Sequence, residues 1–361
     1  MKVKKYLHTV LILIIIFAAQ TIYFEHSFSN HSEKLLQLQN SLNERIENLN
    51  YKLQEVEQDI ALATKQSFVN SHKIPKYLSF CGDKINLNDP FVRESVEREF
   101  YSILSKQGQV QLYLKRMARY NKLIESHLKE AGLPLDLKYL AIHESALLPT
   151  IRSRSRAVGL WQFMSSTARL YHLKVNKYFD ERRDPEKATP AAISYLSDLH
   201  DEFESWPLAL AAYNGGPNRV KRAIRRENSR DFFSLDLPEE TERYYFKIIA
   251  TKIIISNPEK YGFKMEKSDF YYPHNTKKIT FRVFEYRKSI SEIADICNLT
   301  LSSFKALNPA FRSNSLPTGN YTLHIATDQY TACLENYQNY KNSFSVLAKV
   351  SDRDNQNVMV D

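Results

Sequence analysis

The sequence predicts a mainly α-helical protein with a small βααβ module near its C-terminal end. Three observations predict it. Glycine occurs only 8 times in 361 residues, which disfavours Gly-rich architectures. Apolar residues recur at helical spacing through 90–131 and 190–257, and two-residue alternation is missing between 77 and 262. From about residue 277 the texture changes, and Ile279-Thr280-Phe281-Arg282-Val283-Phe284 alternates as a strand does. Hydrophobic residues make up 43% and charged residues 25%, so a packed core forms and wholesale disorder is excluded. Three cysteines exclude a disulfide-built scaffold. Fifty basic residues against 41 acidic ones give a net charge of +9, which points to an anionic partner: nucleic acid, an anionic membrane face or an acidic polymer.

The elements follow in chain order. Lys2, Lys4 and Lys5 precede an apolar run from Tyr6 to Phe24, and its heart, Val10 to Ala19, carries no charge. A basic start before an apolar run is an export signal, and about 18 residues just span a bilayer. Phe17-Ala18-Ala19 is a poor cleavage site, so residues 1–32 read as an uncleaved signal-anchor, the alternative being a cleaved signal peptide. The lysines then stay inside and the rest of the chain is exported, which makes nucleic acid an improbable partner. In an oxidising compartment Cys297 and Cys333 either pair or remain buried free thiols.

Leu42, Ile46, Leu49, Leu53, Val56, Ile60 and Ala63 alternate by four and three, and Leu35 extends the series with Gln39 as a polar interruption. That spacing is the seam of a coiled coil. Residues 33–66 read as a stalk helix, self-associating through 35–63 or else folded back on the rest of the chain. Residues 67–132 hold a linker, marked by Pro75, and the first helices of one long helical unit that ends near 262. Gly132-Leu133-Pro134, Asp184-Pro185, Pro207, Gly215-Gly216-Pro217, Pro238 and Asn257-Pro258 punctuate it.

Within that unit the helix expected over 134–148 carries the chemistry. Leu137, Leu140, Ala141, Glu144 and Leu148 share one face, so a lone carboxylate lies on an apolar stripe. Desolvation there favours the protonated form, which makes a general acid near neutral pH. The alternative is a carboxylate at a helix end that reaches water or caps a neighbour. Ser153-Arg154-Ser155-Arg156-Ala157-Val158-Gly159-Leu160-Trp161-Gln162-Phe163-Met164 follows, then Asp180-Glu181-Arg182-Arg183-Asp184-Pro185, Ala211-Ala212-Tyr213-Asn214-Gly215-Gly216 and Glu240-Thr241-Glu242-Arg243-Tyr244-Tyr245.

These four motifs, in this order and spacing, resemble the lytic murein transglycosylases of the soluble-lytic-transglycosylase type, glycoside hydrolase family 23. The resemblance runs over about 77–262 and is dense over 134–250. It implies that residues 133–262 form a lysozyme-like all-α domain. That domain would cleave the β-1,4 bond between N-acetylmuramic acid and N-acetylglucosamine in peptidoglycan glycan strands, without a cofactor. Glu144 matches the family's single catalytic carboxylate. As acid it would protonate the glycosidic oxygen. As base it would then take the proton of the muramyl 6-hydroxyl, closing a 1,6-anhydro ring, in contrast to the two-carboxylate scheme of most glycosidases. Ser153, Gln162, Tyr213, Asn214 and Tyr244 match the family's substrate-binding positions, and Tyr244 matches the tyrosine whose hydroxyl points at the catalytic Glu. The resemblance places the chain in the bacterial envelope, anchored in the inner membrane and facing the periplasm, or secreted there after signal cleavage.

Some readings of the residues stand beside the resemblance. Asp180 and Asp184 are the candidates for a second carboxylate, but read better as helix caps and partners of Arg182 and Arg183. Trp161, Phe163 and Met164 read as core rather than sugar platform, and Tyr245 as packing. Where the family has glycine in Ser-x-x-Gly, this chain has Arg156. With Arg152 and Arg154 it makes a basic edge that either meets the carboxylates of stem peptides or is simply solvated. His143, aliphatic in the family, reads as a supporting or surface residue. The run Arg219, Lys221, Arg222, Arg225, Arg226 and Arg230 reads as a solvated face. Ten histidines show no ligand spacing, so no metal site is expected, and no Gly-rich phosphate loop occurs. Two other functions remain open: a hydrolytic muramidase, and a non-catalytic peptidoglycan-binding scaffold.

Residues 277–326 read as strand, two short helices and strand. Ser289-Ile290, Ile293-Ala294, Leu301, Phe304, Leu307-Asn308-Pro309 and Gly319 resemble the pattern of a LysM domain, a glycan-binding module. Its Gly-Asp-Thr-Leu opening is replaced by Arg287-Lys288-Ser289-Ile290, so the module either binds glycan or is a structural appendage. Residues 327–361 end in a polar run and read as a frayed tail.

Overall fold

A computed structural model describes residues 2–25, 32–70 and 72–357, with side chains over 6–21, 39–60 and 72–344. It divides into two compact units, Met1–Ser71 and His72–Asp361. The first holds helices α1 (Lys2–Glu25) and α2 (Ser32–Asn70). Among the described residues no helix is long and apolar enough to cross a membrane; part of the segment read as an anchor lies outside them. At 39 residues α2 is about 58 Å long. Ile46, Leu49, Leu53, Val56 and Ile60 of its apolar seam are exposed, while the side chains of Leu35 and Ala63 lie outside the described residues.

The second unit opens with a two-residue hairpin, β1 (Ser79–Phe80) and β2 (Asp83–Lys84), too short to leave an alternating signal. Seven helices of eight or more residues follow: α3 (Pro90–Leu104), α4 (Gln107–Glu130), α5 (Lys138–Ser145), then, after the six-residue α6 (Ser165–Leu170), α7 (Pro185–Phe203), α8 (Trp206–Gly215), α9 (Pro217–Glu227) and α10 (Glu239–Ser256). Their starts are written in the sequence. Asp89 accepts from Phe91 N and Val92 N ahead of Pro90, and Asp184 accepts from Glu186 N and Lys187 N ahead of Pro185. Three glutamates occupy the first turn of α10, where the helix dipole favours them. Helix α10 is buried nearly all round, through Tyr244, Tyr245, Phe246, Ile248, Ile249, Ala250, Ile253 and Ile254. It packs on α3, α5 and α8 and so forms the axis of the unit. Glu99, buried on α3, takes two hydrogen bonds from Arg243, at 2.7 and 3.4 Å, and fixes α10 against α3.

The C-terminal module has the expected order: β3 (Thr276–Ser289), α11 (Ile290–Ile296), α12 (Leu301–Leu307) and β4 (Ser315–Ala326), with β3 and β4 antiparallel and a bulge between Val283 and Arg287. Ser289 and Glu292 form a capping box on α11. The expected frayed tail is corrected: Tyr330–Asn357 is a helix, α13. Tyr337 and Tyr340 lie on Phe281, with ring centroids 4.6 and 5.5 Å away, and their hydroxyls accept from the backbone N–H of Arg282 and Phe284 on β3. The signal was Tyr330, Cys333, Tyr337, Tyr340 and Phe344, a helical stripe hidden by the polar run that follows it. Cys297 and Cys333 are bonded and tie α13 to the end of α11, while Cys81 is a buried free thiol.

The module meets the helical body at 176–186. Phe179 pairs with Phe311 in an isolated bridge, their rings 4.8 Å apart, and Asp180 N donates to Ala310 O at 2.8 Å. One buried ion pair underlies this seam. The guanidinium of Arg182 takes both oxygens of Asp180, at 2.8 and 2.9 Å, and donates to the carbonyls of Arg156 (3.2 Å) and Phe163 (2.9 Å). Asp180 therefore has the structural role expected of it. Arg183 forms no such pair with Asp184 among the described residues. Replacing Arg182 by Leu leaves a buried carboxylate without its counter-charge and the Arg156 carbonyl without its donor, while Phe163 O keeps the N–H of Val158. The variant is expected to lose about 3–5 kcal/mol of stability in denaturant unfolding; a loss below about 1 kcal/mol would contradict this account.

Candidate active site

Helix α5 is shorter than the sequence suggested. A 3-10 turn at Leu135–Leu137 leads into Lys138–Ser145, and Ala146 and Leu147 then stand at φ 52° and 59°. Two successive left-handed residues end the helix, so Leu148 does not continue the face of Leu137, Leu140 and Ala141, all of which are fully buried. Glu144 thus lies in the last turn, on an apolar stripe and at a helix end at once. Arg116 on α4 donates to the carbonyl of Ala146 at 3.0 Å, and Ser145 Oγ donates to Leu160 O at 2.9 Å. These bonds hold the end of α5 to α4 and to the loop that follows it.

The hydroxyl of Tyr244 on α10 donates to Glu144 Oε1 in a short contact. Burial pushes the Glu144 carboxyl up to about 7, the Tyr244 bond opposes that rise, and the charge of Glu240 adds to it. Glu240 is exposed, one turn before Tyr244 on α10. Sequence reasoning missed it, because it sits in a run of first-turn glutamates whose ordinary role is to meet the helix dipole. His143 packs edge-to-face on the Tyr244 ring, centroids 5.3 Å apart, so it supports the tyrosine that serves Glu144. Burial, with the nearby Lys247 charge, pulls the His143 imidazole down to about 4, leaving it neutral at pH 7.

Tyr213 on α8 donates to the carbonyl of Trp161 at 2.7 Å. Burial, then the charge of Glu144, holds its hydroxyl well above the usual tyrosine range. Its ring adjoins Tyr195 on α7 at 5.2 Å, and Tyr195 adjoins Tyr171 at 5.1 Å. All three are half-buried, and their rings are tilted to one another by 35° and 43°, so they form a stepped aromatic row. Tyr171 and Tyr195 carried no motif, and only packing brings them into line with Tyr213. Asn214 follows Tyr213, half-buried, at the end of α8. Gly215 lets α8 approach α10 closely there: a Cβ would come within 2.9 Å of Thr241 Oγ1, which would have to shift.

Ser153 and Gln162 belong to one loop closed by the Arg152–Val158 and Val158–Phe163 bridges. Ser153 Oγ accepts from Ala157 N at 3.0 Å and shares a hydrogen bond with Ser155. The Gln162 amide donates to Gly159 O at 2.8 Å. Both side chains therefore shape the loop. At Arg156, where the resemblance leads one to expect glycine, φ is 71°, the left-handed region. Gly159 cannot be replaced, since a Cβ would sit 1.8 Å from Arg182 O. Trp161 and Phe163 are buried and Tyr245 packs against Phe80 and Phe232, whereas Met164, read as core, is 44% exposed. Its place after the loop, just before α6, turns it outward.

The carboxyl's position sets a pH dependence. Its pKa is raised on folding from 4.5 to about 7, so the folded state binds the extra proton and stability falls as pH rises through that window. Glu144→Gln removes the buried charge. It is expected to be more stable than the parent by up to about 3 kcal/mol at pH 8 and indistinguishable from it at pH 4, as read by urea unfolding at both pH values.

Residues 122–235 match the family described as the transglycosylase SLT domain. Membrane-bound lytic murein transglycosylase D of Escherichia coli K12 is 30% identical over 243 residues, covering 66% of this chain and 52% of that protein. The chain thus spans about half the length of this relative. Peptidoglycan transglycosylase gp16 of Escherichia phage T7 is 31% identical over 128 residues, covering 35% of this chain and 10% of the phage protein. Among solved structures, the 70 kDa soluble lytic transglycosylase of Escherichia coli matches at 21% identity and a TM-score of 0.34, covering 50% of this chain and 32% of that one. Residues 122–235 thus match the transglycosylase SLT domain, within a chain similar to membrane-bound lytic murein transglycosylase D.

Proposed function

We propose that the chain is a peptidoglycan lytic transglycosylase, with Glu144 as its single general acid and base. The observation that carries this reading is a desolvated carboxyl with a pKa of about 7, held by Tyr244. Such a group keeps enough of its proton at neutral pH to protonate the glycosidic oxygen, and is basic enough to take the 6-hydroxyl proton afterwards. Tyr244 fixes the carboxyl, and its bond strengthens as Glu144 becomes anionic. Tyr213 and Asn214, with the tyrosine row beyond, would seat the glycan, and Ser153 and Gln162 would border it. We further propose that the basic and apolar N-terminus exports the chain to the bacterial envelope and anchors it there. The exposed seam of α2 would pair with further copies, and residues 277–326 would add a glycan-binding surface.

Glu240 favours a second reading. A carboxylate near enough to act on Glu144 would activate a water in a hydrolytic muramidase. The products decide. Purified murein digested by the chain is expected to yield muropeptides ending in 1,6-anhydromuramic acid by mass spectrometry. Glu144→Gln should lower the yield about 10²–10⁴-fold, and Glu240→Gln should leave the anhydro product the main one. Reducing-end muramic acid, lost with Glu240→Gln, would establish hydrolysis instead.

A further inference from the structure

Basic side chains gather beside the Asp180–Arg182 pair in greater number than the fold neutralises. A cavity of about 350 Å³ is lined there by Arg152 and Arg156 of the loop, Arg169 at the end of α6, Lys177, Arg183 and, from the C-terminal module, Arg312. Asp180 is the one carboxylate in its lining, and both its oxygens are already taken by Arg182. Among the described residues none of the six cations forms an ion pair with a carboxylate. Arg169 and Arg312 spend one N–H each on the carbonyls of Val175 and Asn176. The Nε of Arg183 is buried without an acceptor. Burial, and behind it the like charges of Arg312, Arg182 and Arg152, weakens the hold of the Arg183 guanidinium on its proton, against the pull of Asp180. Clustered guanidinium groups with unused donors repel one another until an oxyanion enters, and the fork of each suits carboxylate or phosphate. Arg154, part of the basic edge the sequence suggested, does not line the cavity.

Ser153 lies between Arg152 and Arg156 on the same loop. In the functional reading above, on which this inference rests, Ser153 borders the glycan, in which every second sugar is muramyl. That sugar bears the stem peptide, whose free carboxylates are the oxyanions nearest to hand. We propose that the cavity receives the carboxylates of the stem peptide on the bound muramyl unit, so that the chain selects peptide-bearing strands over naked glycan.

The test is a calorimetric titration of the full chain with a disaccharide-tetrapeptide muropeptide, with the same disaccharide lacking its peptide, and with inorganic phosphate. The disaccharide has no muramyl-to-glucosaminyl bond to cleave, so binding is read apart from turnover. The peptide-bearing probe is expected to bind about tenfold more tightly than the bare one, and the advantage to disappear in 0.5 M salt. The double variant Arg183→Gln/Arg312→Gln should bind both probes equally and cut peptide-free strands as the parent does. Equal binding of the two probes by the parent overturns the proposal. So does a double variant that keeps the advantage, or one that loses turnover on peptide-free strands as well. Variant-sensitive binding of phosphate alone would mean an oxyanion site for another ligand. If strands are not cut at all while the peptide advantage holds, the catalytic reading fails and the cavity's specificity stands.

Discussion

The buried pair of Asp180 and Arg182 is the contact through which most of the second unit's irregular structure is tied together. Its guanidinium holds the carbonyls of Arg156 and Phe163, which sit on either side of the loop carrying Ser153 and Gln162. The backbone of Asp180 carries the C-terminal module through Ala310, and the carbonyl of Arg182 leaves no room for a side chain at Gly159. A buried ion pair alone is weak evidence of stability, because desolvation offsets the attraction. Here the guanidinium also satisfies the Arg156 carbonyl and adds a second donor to that of Phe163, which Val158 N–H already meets. Its value lies in fixing one loop geometry.

Backbone strain gathers around the same place. Ala146, Leu147, Arg156 and Gln162 all adopt left-handed conformations without being glycine, and each such residue costs on the order of 1 kcal/mol or more. The surroundings hold them there: Arg116 and Ser145 anchor the end of α5, and Arg182 anchors the loop. The consequence for chemistry is that Glu144 comes to the last turn of a short helix with its carboxyl still desolvated, facing α10. A helix that ran on to residue 148, as its periodicity suggested, would carry Leu148 onto the face beside Glu144.

The helical class was legible in the spacing of apolar residues, and its breaks in Pro and Gly punctuation such as Asp184-Pro185. The Glu144–Tyr244 relation, between residues 100 apart, came only from the family resemblance carried by motifs in a fixed order. The βααβ order was legible in local spacing. What stayed hidden depends on long-range packing. The row Tyr213, Tyr195 and Tyr171 joins α8, α7 and the end of α6, and no spacing within one segment announces it. Glu240 was masked by its acidic neighbours. The helix of the C-terminal tail was masked by the polar run after it, although its aromatic stripe is at helical spacing. Arg156 was legible as a departure, and the structure gives it physical content: a side chain at φ 71° where glycine is the unstrained residue.

The excess of positive charge can now be divided by place. Helix α9 carries much of it, but Lys221 pairs with Glu202, Arg226 with Glu227 and Asp236, and Arg230 meets the carbonyl of Phe203. That face is partly neutralised within the protein, and its other cations, Arg219, Arg222 and Arg225, are exposed along the helix as on a solvated surface. The cations around the Asp180–Arg182 pair are not neutralised. They come from a loop, the end of a helix, a 3-10 turn and the C-terminal module, so only the folded unit assembles them. Repulsion among them opposes folding, yet the geometry keeps them together and spends its one nearby carboxylate on a different task. A net charge of +9 says only that an anion is welcome somewhere. The distribution of partners within the fold points to the loop that Ser145 ties to the end of α5, rather than to the most basic helix.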